Sequence, residues 1–293
     1  MGICGKKASL LRFGANAAIL PHSGICFPAM DRPEQSFGTA GVAPMQRPSR
    51  TTRAFMKVVA WAERLNLKYA IHGNPPVYDN STFPWVAEVE KAYPAIRAEL
   101  ERLLPRKAEL PDFHEISTDV KTISTDNRWK TFFLVGFSTP SPRNIKQCPE
   151  TWKAVQHIPG LKTAMFSIFE PGKHLPAHRG PYNGVLRLHL GVIVPPEPEK
   201  IAIRIDRQVC HWQEGRVLIF DDAYEHEAWN HSDRTRVVLF CDFVKPTRFP
   251  ARFVNWLLMN LAMFTPFIRE GMDNHNAWEK KFYAEAEGLR DGT

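Results

Sequence analysis

The stretch "LPAHRGPYNGVLRLHLG", residues 175 to 191, sets His178, Arg187 and His189 among turn residues and aliphatics. One histidine in such a run would carry little weight; the pattern around it carries more. Strict alternation in "VLRLHLGV" puts Arg187, His189 and Gly191 on one face of a strand and Leu186, Leu188 and Leu190 on the other. An unpaired guanidinium on a closed apolar face is costly, so this face should border a cavity that receives something anionic. The segment "GRVLIFDDAYEHEAWNHSDRTRVVLFCDF" repeats the arrangement, with His226 just past one strand and Arg236 opening the next. Neutral imidazoles at His178 and His226, on strand ends, could converge on one metal, and imidazole suits iron(II), zinc or copper. Two histidines and an arginine on a later strand point to nonhaem iron with a dicarboxylate cosubstrate. The acid that would complete such a ligand set, two residues after the first histidine, is replaced by Gly180.

The elements that must position these residues read as follows. From Trp129 onward the chain consists of short strand-like runs, "KTFFLVGF", "TAMFSIFE", "VLRLHLGVIVP", "KIAIRIDR", "RVLIF" and "RVVLFCDF", with one helical piece, "PETWKAVQHI". Many short strands with little helix between them predict a mainly β fold, a double-stranded β-helix (jelly-roll) core with flanking α-helices. Residues 1–50, rich in Gly, Pro, Ser and Ala, read as a disordered leader. Residues 51–112 read as flanking helices, one over Ala54 to Leu65, another capped by Ser81 and interrupted or restarted at Pro94. The jelly roll takes residues 113–249, and 250–293 form a C-terminal helical segment.

With 293 residues, 44% of them hydrophobic, the chain has enough apolar material for one full core. A formal charge of +7 calls for anionic surroundings; without an RNA-binding signature or zinc-finger spacing, a membrane surface is preferred over nucleic acid. Five scattered cysteines without a CxxC pair fit a reducing compartment, hence a cytoplasmic protein, peripheral at the inner face of the membrane. Neither a cleavable signal nor a myristoylation site is convincing at the N-terminus, and Met45 or Met56 are alternative starts.

Over roughly Trp129 to Phe249 the sequence resembles the aspartyl/asparaginyl β-hydroxylase family of Fe(II)/2-oxoglutarate dioxygenases, which includes bacterial lipid acyl-chain hydroxylases. The resemblance rests on "HRGPYNGVLRLHLG" combined with "FDDAYEHEAWNHSDRTRVVLFCD". It implies that His178 and His226 bind Fe(II) and that Ser167, Arg187, His189 and Arg236 hold 2-oxoglutarate. It also implies that Trp129 lines the same pocket and that O2 is the oxidant. Gly180 matches the branch without a carboxylate ligand. By the same reading His174, His211 and His231 are surface or supporting residues, Asp221, Asp222 and Glu225 are turn groups around the loop that orients His226, and Cys241 belongs to the core.

Two substrates compete. "KPTRFPARFVNWLLMNLAMFTPFIR" is too short and interrupted to span a bilayer but fits an interfacial helix flanked by Lys245, Arg248, Arg252 and Arg269, which favours an acyl chain of lipid A or an ornithine-type lipid. Packing of that helix on the domain fits the pattern equally well. Gly180 favours the alternative, β-hydroxylation of Asp or Asn side chains in a protein or peptide. A non-catalytic jelly-roll binding module is disfavoured because every matched position is filled.

Overall fold

The computed structural model describes residues 26–28 and 50–288. Its strands are β1 (Cys26–Pro28), β2 (Val77–Tyr78), β3 (Trp129–Gly136), β4 (Thr139–Pro140), β5 (Leu161–Phe169), β6 (Lys173–His178), β7 (Val185–Ile193), β8 (Ile201–Ile205), β9 (Gln208–Cys210), β10 (Val217–Phe220), β11 (His226–Asn230) and β12 (Arg236–Val244). The α-helices are α1 (Arg50–Tyr69), α2 (Val86–Lys91), α3 (Tyr93–Leu103), α4 (Phe113–Ile116), α5 (Pro142–Gln147), α6 (Pro149–Val155), α7 (Ala251–Ala262) and α8 (Pro266–Gly288). The strands pair antiparallel in two sheets, ordered β1-β9-β8-β11-β6 and β2-β10-β7-β12-β5-β3-β4. The expected jelly-roll architecture with flanking helices is what forms.

The larger sheet is buried on both faces, which is why its central strands read as near-continuous apolar runs. Leu186, Leu188 and Leu190 of β7 and Val237, Leu239 and Cys241 of β12 face outward into a core closed by Val89, Ile96 and Leu100 of the helices and by Phe282 of α8. Each such side chain contributes roughly 1.5–3 kcal/mol by burial. The opposite face, with Phe169, Val238, Phe240 and Phe220, packs against Leu175, Ile203 and Ala228 from the smaller sheet and Trp212 from the loop after β9. Between the two sheets lies the space that receives Arg187, His189 and Arg236.

Several expectations shift in detail. Helix α1 runs from Arg50 to Tyr69, well beyond the predicted Ala54 to Leu65. Of the two readings of Pro94 the restart is what forms: it stands in the first turn of α3, where its missing N–H costs nothing. Ser81 gives its backbone N–H to the Asp79 side chain, so Asp79 is the cap of that turn. Strands β6, β9 and β11 lack a readable alternation; β6 tolerates Pro176 because it is the edge strand of its sheet. Of the leader expected over residues 1–50, all but Cys26–Pro28 and Arg50 lies outside the described residues; Cys26–Pro28 form a strand in register with β9, Cys26 opposite Cys210. Cys210 is disulfide-bonded, which departs from the reducing environment inferred from cysteine spacing, while Cys148 and Cys241 are free and buried.

Candidate active site

His178 closes β6 and His226 opens β11, and the register of the two strands sets them directly opposite each other. Their ring centroids are 4.2 Å apart. Each ring is fixed by the same local device. His178 Nδ1 lies 2.8 Å from the Pro176 carbonyl and His226 Nδ1 lies 3.0 Å from the Tyr224 carbonyl, two residues back in each case. A carbonyl can only accept, so Nδ1 carries the proton and Nε2 keeps its lone pair, the tautomer a metal ligand needs. Burial lowers both pKa values, reinforced for His226 by the His178 and Arg187 charges, which take it to about 3; for His178 the carbonyl bond opposes the shift and the Arg187 charge adds to it. Both rings are therefore neutral near pH 7. Among the described residues no group of three or more His, Cys, Asp or Glu is placed to hold a metal ion. A metal here would take two imidazoles from the chain and draw its other ligands from water and a bound anion.

An anion is what the neighbouring groups lack. Arg236, at the start of β12, is 1% exposed, and among the described residues no carboxylate forms an ion pair with it and its Nε and Nη1 lack any hydrogen-bond partner. Its guanidinium lies over the rings of Phe169 and Trp212, at 3.8 and 4.4 Å from their centroids. Burial alone depresses its pKa to about 9. His189 of β7 accepts a hydrogen bond from Trp212 Nε1 at Nδ1 (3.3 Å), so its proton sits on Nε2, which is buried and unpartnered. Burial, then the charges of Arg236 and Arg187 and nearby His226, hold His189 well below the usual imidazole pKa. Ser167 of β5 accepts from Trp129 Nε1 at 3.0 Å, which leaves its own hydroxyl hydrogen to donate. Buried donors without acceptors cost roughly 1–3 kcal/mol each, more when charged. Arg236 and His189, close enough for their charges to interact, thus present buried donors of the kind a carboxylate accepts from.

Arg187 behaves differently from the expectation that it holds the cosubstrate. Its Nε and Nη2 reach Asp242 at 2.8 and 3.2 Å, Nη2 also meets Asp222 at 2.9 Å, and the guanidinium lies over Phe240. Burial works against this charge, but the two carboxylates outweigh it and raise the pKa. Asp222 in turn fills the space beside Gly180: a Cβ at that position would lie 2.3 Å from Asp222 Oδ2. The Gly180 N–H also donates to the Asp222 carbonyl at 2.8 Å. Burial pushes the Asp222 carboxyl up to about 7, with Arg187 pulling down and Asp242 and Asp221 pushing up. The Asp222 carboxylate, delivered from the β10–β11 loop, thus occupies the space that any side chain at position 180 would need.

The remaining candidates fall outside this arrangement. Asp221 pairs with buried Lys245 at 2.7 Å, Glu225 with Arg204, and His174 with Glu227. A small cavity lined by Ile116, Phe137, Met272 and His275 contains none of the candidate residues. Sequence reasoning missed Trp212, Phe169 and Asp242. Phe169 was within reach, since alternation along β5 puts it on the Ser167 face; nothing in "CHWQEG" singles out Trp212.

Comparisons with known proteins bear on this geometry. Residues 90–246 match the family model described as aspartyl/asparaginyl beta-hydroxylase. The chain is 76% identical over 259 residues to the ornithine lipid ester-linked acyl 2-hydroxylase of Rhizobium tropici, covering 88% of this chain and 92% of that protein. It is also 35% identical over 127 residues to human aspartyl/asparaginyl beta-hydroxylase, covering 42% of this chain and 16% of that protein.

Proposed function

The chain belongs to the aspartyl/asparaginyl β-hydroxylase family, and from that premise we propose that it is an Fe(II)- and 2-oxoglutarate-dependent dioxygenase that hydroxylates an acyl chain of an ornithine-type membrane lipid. The observation that carries the cosubstrate is Arg236, a buried guanidinium without a counter-ion among the described residues, linked through His189, which feels both Arg236 and His226, to two neutral, pre-oriented imidazoles. The 76% identity with the Rhizobium tropici lipid hydroxylase supports the substrate class.

In this reading His178 and His226 hold iron through Nε2. Arg236 pairs with the distal carboxylate of 2-oxoglutarate, with His189 Nε2–H and the Ser167 hydroxyl as further donors, and Trp129 fixes the serine rotamer. Desolvation makes each of these contacts stronger than it would be in water. Arg187 holds Asp222 and Asp242 together beside the imidazoles, a positioning role. Bound iron would supply dioxygen activation, with oxidation of 2-oxoglutarate to succinate and carbon dioxide balancing insertion of one oxygen atom into a C–H bond. The aromatic walls Phe169, Trp212, Phe220 and Phe240 keep water from the buried charges.

The test is incubation of the iron-loaded protein with 2-oxoglutarate, oxygen and ornithine lipid, followed by mass spectrometry. We expect the lipid to gain one oxygen atom with one succinate formed per turnover, and His178→Ala or His226→Ala to abolish both. If extracted lipids stay unmodified while Asp- or Asn-containing peptides are hydroxylated, the protein-hydroxylase reading replaces this one. Turnover without 2-oxoglutarate would overturn the cosubstrate assignment.

A further inference from the structure

Helix α7 packs the wrong way round for a helix that serves only the core. Its fully buried residues are Ala251 and Asn255, a small and a polar side chain. Phe253, Trp256, Leu257 and Leu261 lie exposed on the opposite face, followed by Phe264, and Phe249 stands exposed just before the helix. Phe253 and Trp256 stack on each other with centroids 5.9 Å apart. Packing by the domain, the alternative left open by the sequence pattern, is therefore not what these side chains do. An amphipathic helix normally turns such a stripe inward, so this one is left uncovered by the rest of the chain.

The charge along the segment itself is of one sign. No Asp or Glu occurs from Phe243 to Arg269, where Arg248, Arg252 and Arg269 are exposed. Helix α1 packs against α7 and adds exposed Arg53, Lys57, Arg64 and Lys68, whose spacing at 3.6 residues per turn keeps them on one face. Among the described residues none of these seven cations meets a carboxylate within salt-bridge distance. Helix α1 also leaves Phe55 and Trp61 exposed. No helix of the described residues is long and apolar enough to cross a membrane, so the pattern is that of a helix lying in an interface.

These two helices also grip the loop that follows His178. Asn66 of α1 donates to the Tyr182 hydroxyl and to Asn183 Oδ1, at 3.0 and 3.1 Å, and Asn183 donates back to the Glu63 carbonyl. Asn255, on the buried face of α7, donates to the Gly184 carbonyl at 2.8 Å. The backbone adds Arg248 N–H to the Tyr69 carbonyl and Ile71 N–H to the Pro246 carbonyl. Residues 179–184, between the first imidazole and β7, are thus tied to both helices by buried amides.

We propose that the outward apolar face of α7, with the basic face of α1, docks on the surface of an anionic phospholipid bilayer and thereby sets the loop beside His178 at the lipid interface. The proposal deepens the lipid reading and rests on it for the benefit to catalysis, though not for the binding itself. Apolar area entering the interface supplies binding, and the seven cations select negatively charged headgroups.

The test is co-sedimentation of the iron-loaded full chain with vesicles of phosphatidylglycerol and phosphatidylcholine, against vesicles of phosphatidylcholine alone. We expect binding to the anionic vesicles that weakens as salt shortens the Debye length, and a loss of roughly tenfold or more in Trp256→Glu combined with Leu257→Glu. The exposed positions should leave the unfolding temperature unchanged, and Arg53→Ser with Lys57→Ser supplies an independent variant that should bind less tightly only where the vesicles are anionic. Undiminished vesicle binding by the Glu variant, or equal binding of the wild type to neutral vesicles, overturns the proposal. If the wild type hydroxylates detergent-dispersed ornithine lipid but does not bind vesicles, the platform fails and the lipid reading stands. If it binds anionic vesicles through α7 but modifies no lipid, the platform stands and the lipid reading fails.

Discussion

Two guanidinium groups enter the space between the sheets, from adjacent strands, and the fold treats them oppositely. Arg187 on β7 is matched by Asp242 and Asp222, and its charge is held more firmly than in water. Arg236 on β12 has no anion among the described residues, only the faces of Phe169 and Trp212. The first end of the cleft is finished by the chain itself. The second is left incomplete, and a buried cation without a counter-ion is tolerated in a native structure when something outside the chain completes it. The difference separates a positioning arginine from a ligand-binding one more clearly than their shared strand pattern does.

Substitution should give the two ends opposite signs. Arg187→Met leaves Asp222 and Asp242 facing each other without a cation, and we expect a loss of about 3–5 kcal/mol in urea unfolding of the ligand-free protein. Arg236→Met removes an uncompensated charge, so the ligand-free protein should be as stable or more so. The same variant should raise the 2-oxoglutarate concentration for half-maximal rate by roughly 30-fold, corresponding to about 2 kcal/mol, with Arg236→Lys restoring part of it. Equal destabilisation by the two Met variants would break the comparison.

The crowding at Gly180 sharpens the Arg187 end. A Cβ there meets the Asp222 carboxylate, so Gly180→Ala should cost about 1–3 kcal/mol by overpacking. Adding Asp222→Ala should make the pair less costly than the sum of the singles, since the clash vanishes with the carboxylate. A strictly additive cycle would mean that the two positions do not compete for one space.

The smallest effect belongs to His189. Its folded pKa lies well below the unfolded value near 6.5, so below that pH the unfolded chain binds the proton and the folded chain does not. Stability should therefore fall as pH drops from about 6.5, and His189→Gln should flatten that slope in thermal unfolding while leaving pH 8 behaviour little changed. An unaltered slope would show that the folded protein protonates His189, at Nδ1, as readily as the unfolded chain does.

Much of this protein is readable along the chain because the relevant physics is local. Alternation in "VLRLHLGV" and "RVVLFCDF" sets which side chains share a face, and a strand cannot present Arg187 and His189 on one side without presenting leucines on the other. Pairing is not local. Strands β6 and β11 carry no alternation of their own, and only their register with each other brings His178 to His226. Spacing alone marks Arg187 and Arg236 as equivalent cations; long-range placement of Asp222 and Asp242 neutralises one of them and leaves the other bare. The same holds at α7, where composition is compatible with either core packing or exposure. Which face meets the domain was decided by Ala251 and Asn255, whose small volume and single amide fit against the Gly184 carbonyl, so the aromatic stripe had nowhere to turn but outward.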